Sequence, residues 1–289
     1  MVGHICFCAD GNYIKFVPSV IESVLRSNSH SYIFHVISDA AKPADFEVGL
    51  RGLDPTINVL WHKSDMRQFE DLKVLRHITK GTYYRILIPE LVNAETVLYL
   101  DCDVLVRKDL SELFEIDLGG NFIGAVTNPF FSRQEKLGLR SEAGYFNAGV
   151  MLINARGWRD HDIKGRVLAI IHEKENVLDL GDQDALNLAI GGRWKHLGAT
   201  YNVQMVMFTR YQELFGEVPD IEMVLSSPAI VHFSATNKQW HYSCFLKYAI
   251  EYRALSCSIM AKKRSYLLDR LVGLYHRYYH KVWLQNSYV

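Results

Sequence analysis

The stretch VLYLDCDVLV, residues 97–106, closes an apolar run on Asp101 and places Asp103 two positions on. Two carboxylates so close suit a hard divalent cation, which takes oxygen ligands and completes its shell with phosphate oxygens. Side chains at i and i+2 of a strand point the same way, so the run predicts both acids on one face. His232 closes another apolar strand, IVHF. A neutral imidazole beside two carboxylates forms a mixed oxygen and nitrogen set that leans toward manganese over calcium. Lys238 lies six positions on, in the polar loop HFSATNKQWH, with a flexible ammonium able to reach phosphate. In LGDQDALN, Asp182, Gln183 and Asp184 stand at a helix start, where the helix dipole alone favours acids. Each feature has a plain structural alternative: a solvated strand end, a core histidine, a surface lysine.

Those residues need elements to hold them. HICFCA reads as a buried opening strand and DGNY as the loop at its end; Pro18 and Ser19 then introduce the helical pattern of VIESVL. FHVISD, NVLW, VLYL, FIGAV, YFNAGVMLIN and AIVHF supply further strands. Helical spacing marks TYYRILIPEL and the stretches after Trp158 and Asp182. Strands alternating with helices predict an α/β fold, a mostly parallel central sheet with helices on both faces. Ligands gather at the carboxyl ends of such strands, where Asp101 and Asp103 fall.

The 289 residues, 49% hydrophobic, suffice for one large domain, expected over 1–250, followed by a helical tail over 251–289. Lys plus Arg and Asp plus Glu both total 32, so the chain as a whole is not built for nucleic acid. The charge is uneven. From Ser256 onward Lys262, Lys263, Arg264, Arg270, Arg277 and Lys281 face one acid, Asp269, and Leu267, Leu271, Leu274, Tyr278 and Val282 recur at helical spacing. This basic amphipathic pattern suits an anionic membrane surface. No apolar run reaches the ~20 residues of a membrane span, and five scattered cysteines suit a reducing compartment. The expected location is cytoplasmic, peripheral on the inner face of the cell membrane through the tail.

Taken in order, DGNY, RH, TYYR, LYLDCDVLVRKDL, YFNAGVMLIN, DQDALN and HFSATNKQWH resemble the family 8 glycosyltransferases over residues 4 to 241. The likeness is closest to bacterial galactosyl- and glucosyltransferases that build lipopolysaccharide and related surface glycans. The resemblance implies a GT-A fold and UDP-galactose or UDP-glucose as donor. It also implies Mn2+, with Mg2+ as an alternative, a glycan or glycolipid acceptor, and transfer with retention of anomeric configuration. Carried over by position, Asp101, Asp103 and His232 match the metal ligands, with Cys102 between the acids. Cys8, Ala9, Asp10, Asn12 and Tyr13 match the strand and loop that hold uridine. Arg85, Asn147, Asp182 and Gln183 match positions at the donor sugar, and Lys238 matches the lysine that meets the diphosphate. Two departures stand in the last loop: Ala235 replaces a glycine and Gln239 a proline.

Gln183, at the position where a retaining enzyme would place a nucleophile, is a poor one, so the resemblance favours front-face attack by the acceptor hydroxyl, with Asp182 as the alternative nucleophile. The loop FFSRQEKLGLRSEAG is expected to line the acceptor pocket. Two other classes fit parts of the sequence. A haloacid-dehalogenase-like phosphohydrolase would explain DCDVLV but neither DGNY nor YFNAGV, and a non-catalytic nucleotide-sugar or glycan-binding protein would keep the fold without turnover.

Overall fold

The computed structural model describes residues 2–63, 67–69, 80–131, 134–174, 176–216, 218–241, 243, 244 and 246–255. The basic tail and the RH pair, Arg76 and His77, lie outside them. Seven strands form one sheet: β1 (Gly3–Cys8), β2 (Tyr32–Ser38), β3 (Asn58–Lys63), β4 (Thr96–Leu100), β6 (Ile123–Thr127), β7 (Phe146–Asn154) and β8 (Trp194–His196). Their order is β3-β2-β1-β4-β7-β6-β8, and β7 alone among them runs antiparallel to its neighbours. A second sheet holds β5 (Val104–Val106), β9 (Val203–Gln204) and β10 (Ile230–His232) in the order β5-β10-β9. The expected mostly parallel α/β fold is present.

Near-continuous apolar sequences let the central strands be covered on both faces. On one face Ile5, Phe7, Phe34, Val36, Leu98 and Leu100 pack under the helix Val17–Ser27. On the other, Cys6, Cys8, Tyr99, Met151 and Ile153 pack against the helices Ile163–Lys174 and Asp182–Ile190. The cysteines of CFC are core residues, and Cys6, Cys8, Cys102 and Cys244 are free thiols. TYYRILIPEL is less regular than its spacing implies: a 3-10 stretch over Lys80–Leu87 runs into the single α-turn Ile88–Leu91, which carries Pro89 in its first turn.

Three histidines on β1, β2 and β3 form a chain across the sheet. His4 Nδ1 lies 2.9 Å from His35 Nε2, and His35 Nδ1 lies 2.9 Å from His62 Nε2. Adjacent ring planes differ by 25° and 22°, so the imidazoles lie end to end. Each gap has room for one proton. Burial lowers the affinity of all three rings for a second, and His35, flanked by His62 and His4, falls to about 4. The unfolded chain therefore binds protons more tightly than the folded one below its ordinary histidine value of about 6.5. The stability contributed above that value drains away as pH falls toward 4. We predict that stability drops by about 2 kcal/mol between pH 6.5 and 4.5. Denaturant melts of His35→Gln should lose most of that slope.

Candidate active site

Asp101 and Asp103 converge, though not by strand alternation. The expected single strand is broken: β4 ends at Leu100, residues 101–103 turn, and β5 begins at Val104 in the other sheet. Asp101 N–H donates to the Gly149 carbonyl at 2.8 Å, extending the β4–β7 ladder. Phe233 N–H donates to the Asp103 carbonyl at 2.9 Å, opening the β5–β10 ladder. The two acids thus sit on the last rung of one sheet and the first rung of the next. This seam also receives His232 from the end of β10.

His232 Nε2 lies 3.2 Å from Asp103 Oδ1 and 3.6 Å from Asp101 Oδ2. One ligand atom from each of the three side chains falls within 4.8 Å of the others. The imidazole's other nitrogen, Nδ1, is 3.0 Å from Asn202 Oδ1. Asn202 Nδ2 donates to Asn147 Oδ1 at 2.9 Å, and Asn147 Oδ1 also accepts from Gly149 N–H at 3.0 Å. This network assigns the ring proton to Nδ1, so the neutral ring turns the lone pair of Nε2 toward the acids. Asp103 Oδ1, buried, has no hydrogen-bond partner among the described residues. Burial pushes the Asp103 carboxyl up, but the Lys238 ammonium outweighs it and holds the carboxyl well below the ordinary carboxylate range. Gly149 keeps the pocket open: a Cβ there would stand 2.2 Å from His232 Cε1 and 2.7 Å from Asp101 Oδ2. Two carboxylates, one orphaned oxygen and an oriented imidazole nitrogen fit a divalent cation.

Arg85 stands behind this trio, 6% exposed. Its Nη1 donates to the Ala148 carbonyl at 2.7 Å, and Nη2 lies 3.3 Å from Asp101 Oδ1. Arg85 Nε is 2.9 Å from Asp182 Oδ2 but aims its N–H at the Thr82 carbonyl, so charge joins this pair without a hydrogen bond. Burial works against the guanidinium, yet Asp101 and Asp182 keep it charged; burial likewise raises Asp182 against the pull of Arg85 and Thr82. Asp182 opens its helix as expected, but it is 2% exposed and joined to a cation, beyond what the helix dipole requires. Gln183 Oε1 accepts from Ala148 N–H at 3.0 Å, and its Nε2 donates to the Tyr145 hydroxyl at 3.2 Å. Tyr145 in turn donates to Asp184, which also accepts the backbone N–H groups of Asp179 and Leu180.

Lys238 Nζ bonds Asp103 Oδ2 and the Phe233 carbonyl. Burial lowers this ammonium's proton affinity, but Asp103 reverses the effect and raises it. The loop carrying Lys238 is anchored by Trp240, stacked on Phe16 with ring centroids 3.7 Å apart. It is also anchored by Arg253, whose Nη1 donates to the carbonyls of Gln239, His241 and Cys244. Gln239, one of the two departures, buries its amide with no partner for either end among the described residues, at a cost of roughly 1–3 kcal/mol.

A cleft of about 580 Å³ opens over these groups, within the ordinary range for small-molecule sites. Cys8, Ala9, Asp10, Tyr13, Arg85, Asp101, Cys102, Asp103, Asn147, Asp182, Gln183, His232, Ala235 and Lys238 all line it. Asn12 does not: it is exposed, with its backbone N–H turned back to Asp10 Oδ1 at 2.8 Å. The sequence reading misses Asn202, Thr82, Tyr145 and Gly149. Of these, Gly149 carries a detectable signal, a glycine inside the strand YFNAGVMLIN, which marks a close approach.

A family model described as Glycosyl transferase family 8 matches residues 4–244. The chain belongs to glycosyltransferase family 8. General stress protein A of Bacillus subtilis (strain 168) is 31% identical over 265 residues, 86% of this chain and 91% of that protein. Lipopolysaccharide 1,2-glucosyltransferase of Escherichia coli (strain K12) is 24% identical over 249 residues, 82% of this chain and 72% of the relative. Among solved structures, galactosyltransferase LgtC in complex with donor and acceptor sugar analogs matches with a TM-score of 0.76 and 29% identity, covering 87% of this chain and 94% of that one. Several streptococcal glycosyltransferases are longer; the chain spans 56–57% of two of them. The described fold is thus GT-A, and the family 8 member is a glycosyltransferase.

Asn202→Ala should leave the His232 ring without its orienting partner and weaken the affinity of the trio for a divalent cation about tenfold or more, the usual weight of such a support. Calorimetric titration with Mn2+ and UDP measures it, beside a thermal melt that checks folding.

Proposed function

We propose that this family 8 glycosyltransferase is a retaining hexosyltransferase that moves galactose or glucose from a UDP-sugar to a hydroxyl of a surface glycan such as lipopolysaccharide. The observation that carries the proposal is the seam trio of Asp101, Asp103 and His232, oriented by Asn202 and bordered by Lys238 at one end of the cleft. The reading assigns UDP to the wall of Cys8, Ala9, Asp10 and Tyr13 and the hexose to Arg85, Asn147, Asp182 and Gln183. A divalent cation, Mn2+ or Mg2+, held by the trio would neutralise charge on the departing diphosphate. Lys238 adds a preplaced ammonium on the same side.

Breaking the anomeric C–O bond leaves the electron pair on the phosphate oxygen. The acceptor hydroxyl bonds to the same face of the carbon, and its proton passes to that oxygen. Gln183 supports this front-face path: both ends of its amide are held, so it orients without attacking. Asp182 is committed to Arg85 and Thr82, which weakens the alternative of a covalent carboxylate intermediate. The haloacid-dehalogenase-like reading gains no support, since Asp101 pairs with Arg85 and a histidine within a family 8 chain.

Residues 1–250 are proposed as the catalytic domain and 251–289 as a tail that brings it to an anionic inner-membrane surface. Among the described residues no helix is long and apolar enough to cross a membrane. Flotation with phosphatidylglycerol vesicles tests the tail: the full chain should float, and equal recovery of a chain ending at residue 255, which keeps the Arg253 anchor of the Lys238 loop, would refute the attachment.

The transferase reading is tested by following UDP release from UDP-galactose and UDP-glucose. Release should require Mn2+ or Mg2+ and fall at least ~100-fold in Asp103→Asn, the scale of losing a main electrostatic group. NMR of the transferred sugar should show the donor's anomeric configuration. Full turnover in excess EDTA, an inverted product, or UDP binding without turnover would each contradict it.

A further inference from the structure

Outside the cleft, the segment RYQELFGEVPDIEMVLS, residues 210–226, carries three large apolar side chains on its outer side. The 3-10 turn Tyr211–Leu214 and the helix Ile221–Ser226 meet through buried Leu214, Ile221 and Val224. Tyr211, Phe215 and Met223 are left 39%, 52% and 65% exposed, with the Tyr211 and Phe215 rings edge to face at 5.9 Å. Single exposed apolar residues need no explanation, but a gathering of large ones marks a contact surface.

The charge of this face is one-sided. Glu213, Glu217, Asp220 and Glu222 stand in the sequence against Arg210 alone, a net charge of −3. Glu213 pairs with Arg210, whereas Asp220 and Glu222 have no ion pair among the described residues. An anionic lipid surface would repel such a face, so membrane contact does not explain its apolar residues. A basic amphipathic segment fits it, with an apolar side on the rings and cations toward the acids. The chain supplies one. Residues 256–289 carry six Lys or Arg against Asp269, a net charge of +5, with Leu267, Leu271, Leu274, Tyr278 and Val282 at helical spacing.

That segment also starts within reach. Tyr248, in the helix Lys247–Ala254, donates to the Leu225 and Ser226 carbonyls at 2.7 and 3.1 Å, so this helix rests against the C-terminal end of Ile221–Ser226. Leu255 packs in the same cluster as Tyr248, only about 10 Å of chain further on at the helical rise. The 34 residues that follow would extend ~50 Å even at that compact rise, several times what the return to Met223 requires.

We propose that residues 256–289 dock intramolecularly on the face of Tyr211, Phe215 and Met223, held by Asp220 and Glu222, and that an anionic membrane releases them by competing for the same basic residues. The release rests on the membrane reading of the tail; the dock does not. The enzyme keeps its tail against itself in solution and frees it at an anionic surface.

Photocrosslinking of the full chain tests this without turnover, and so apart from the transferase reading. With p-benzoylphenylalanine at Met223, dilute protein should give mainly a monomer-sized product whose cross-linked peptide comes from residues 256–289. Phosphatidylglycerol vesicles should remove most of that product, and phosphatidylcholine vesicles should not. Asp220→Asn with Glu222→Lys brings the segment to a net charge of zero, and asparagine tolerates the left-handed backbone of residue 220, φ +51°. This pair should cut the cross-link about fivefold or more, the scale of losing two exposed ion pairs, with the melting temperature unchanged. Cross-links between two chains, to lipid, or to none of residues 256–289 would overturn the dock, as would a product indifferent to the charge change. A product indifferent to phosphatidylglycerol would overturn the release where the full chain floats with those vesicles. Where it does not float, the membrane reading of the tail falls and the dock stands on the cross-link.

Discussion

Arg85 stands almost wholly buried between Asp101 and Asp182, while Lys238 reaches Asp103 and His232 closes on both acids. Charges brought this far out of water survive only if each faces an opposite charge or a set of hydrogen bonds. That requirement shapes the whole site. The Ala148 and Thr82 carbonyls, the Thr82 hydroxyl and the Tyr99 hydroxyl are all turned toward the cluster. Two buried carboxylate oxygens of the cluster have no hydrogen bond among the described residues: Asp182 Oδ2, which faces Arg85, and Asp103 Oδ1, which lies 3.2 Å from the imidazole nitrogen.

The cluster can exist because two sheets meet there. β4 and β7 carry Asp101 and Gly149 to the last rung of their ladder in the large sheet, and β5 and β10 carry Asp103 and His232 to the first rung of theirs in the small one. Ladder bonds on both sides, from Asp101 to Gly149 and from Phe233 to Asp103, fix the acids to rigid backbone rather than to a free loop. Functional groups held by strand ends keep their geometry when the ligand is absent, which is what electrostatic stabilisation of a leaving group demands. The cost appears in neighbouring places: Gly149 has no room for a side chain, and Gln239 buries an amide unpaired among the described residues.

Much of this could be read from the chain. Apolar runs such as HICFC and YFNAGVMLIN announce buried strands, and a pair of aspartates at the end of such a run is visible to inspection. The reason for their convergence was not visible, because VLYLDCDVLV looks continuous while its two halves join different sheets. Asn202 illustrates the deeper limit. It lies in a short 3-10 turn, and its partners, His232 and Asn147, are 30 and 55 positions away, so no local pattern marks it. The three-histidine chain is hidden for the same reason, since each residue comes from a separate strand.

The central claim is that Asp101, Asp103 and the Nε2 nitrogen of His232 together hold a divalent cation. Pulsed electron paramagnetic resonance of Mn2+ bound with UDP reads that nitrogen directly. The account predicts the hyperfine coupling of one directly bonded histidine nitrogen, changed by 15N-histidine labelling and absent from His232→Ala. A Mn2+ signal without nitrogen coupling in the folded wild-type protein, or one unaltered in His232→Ala, would contradict it.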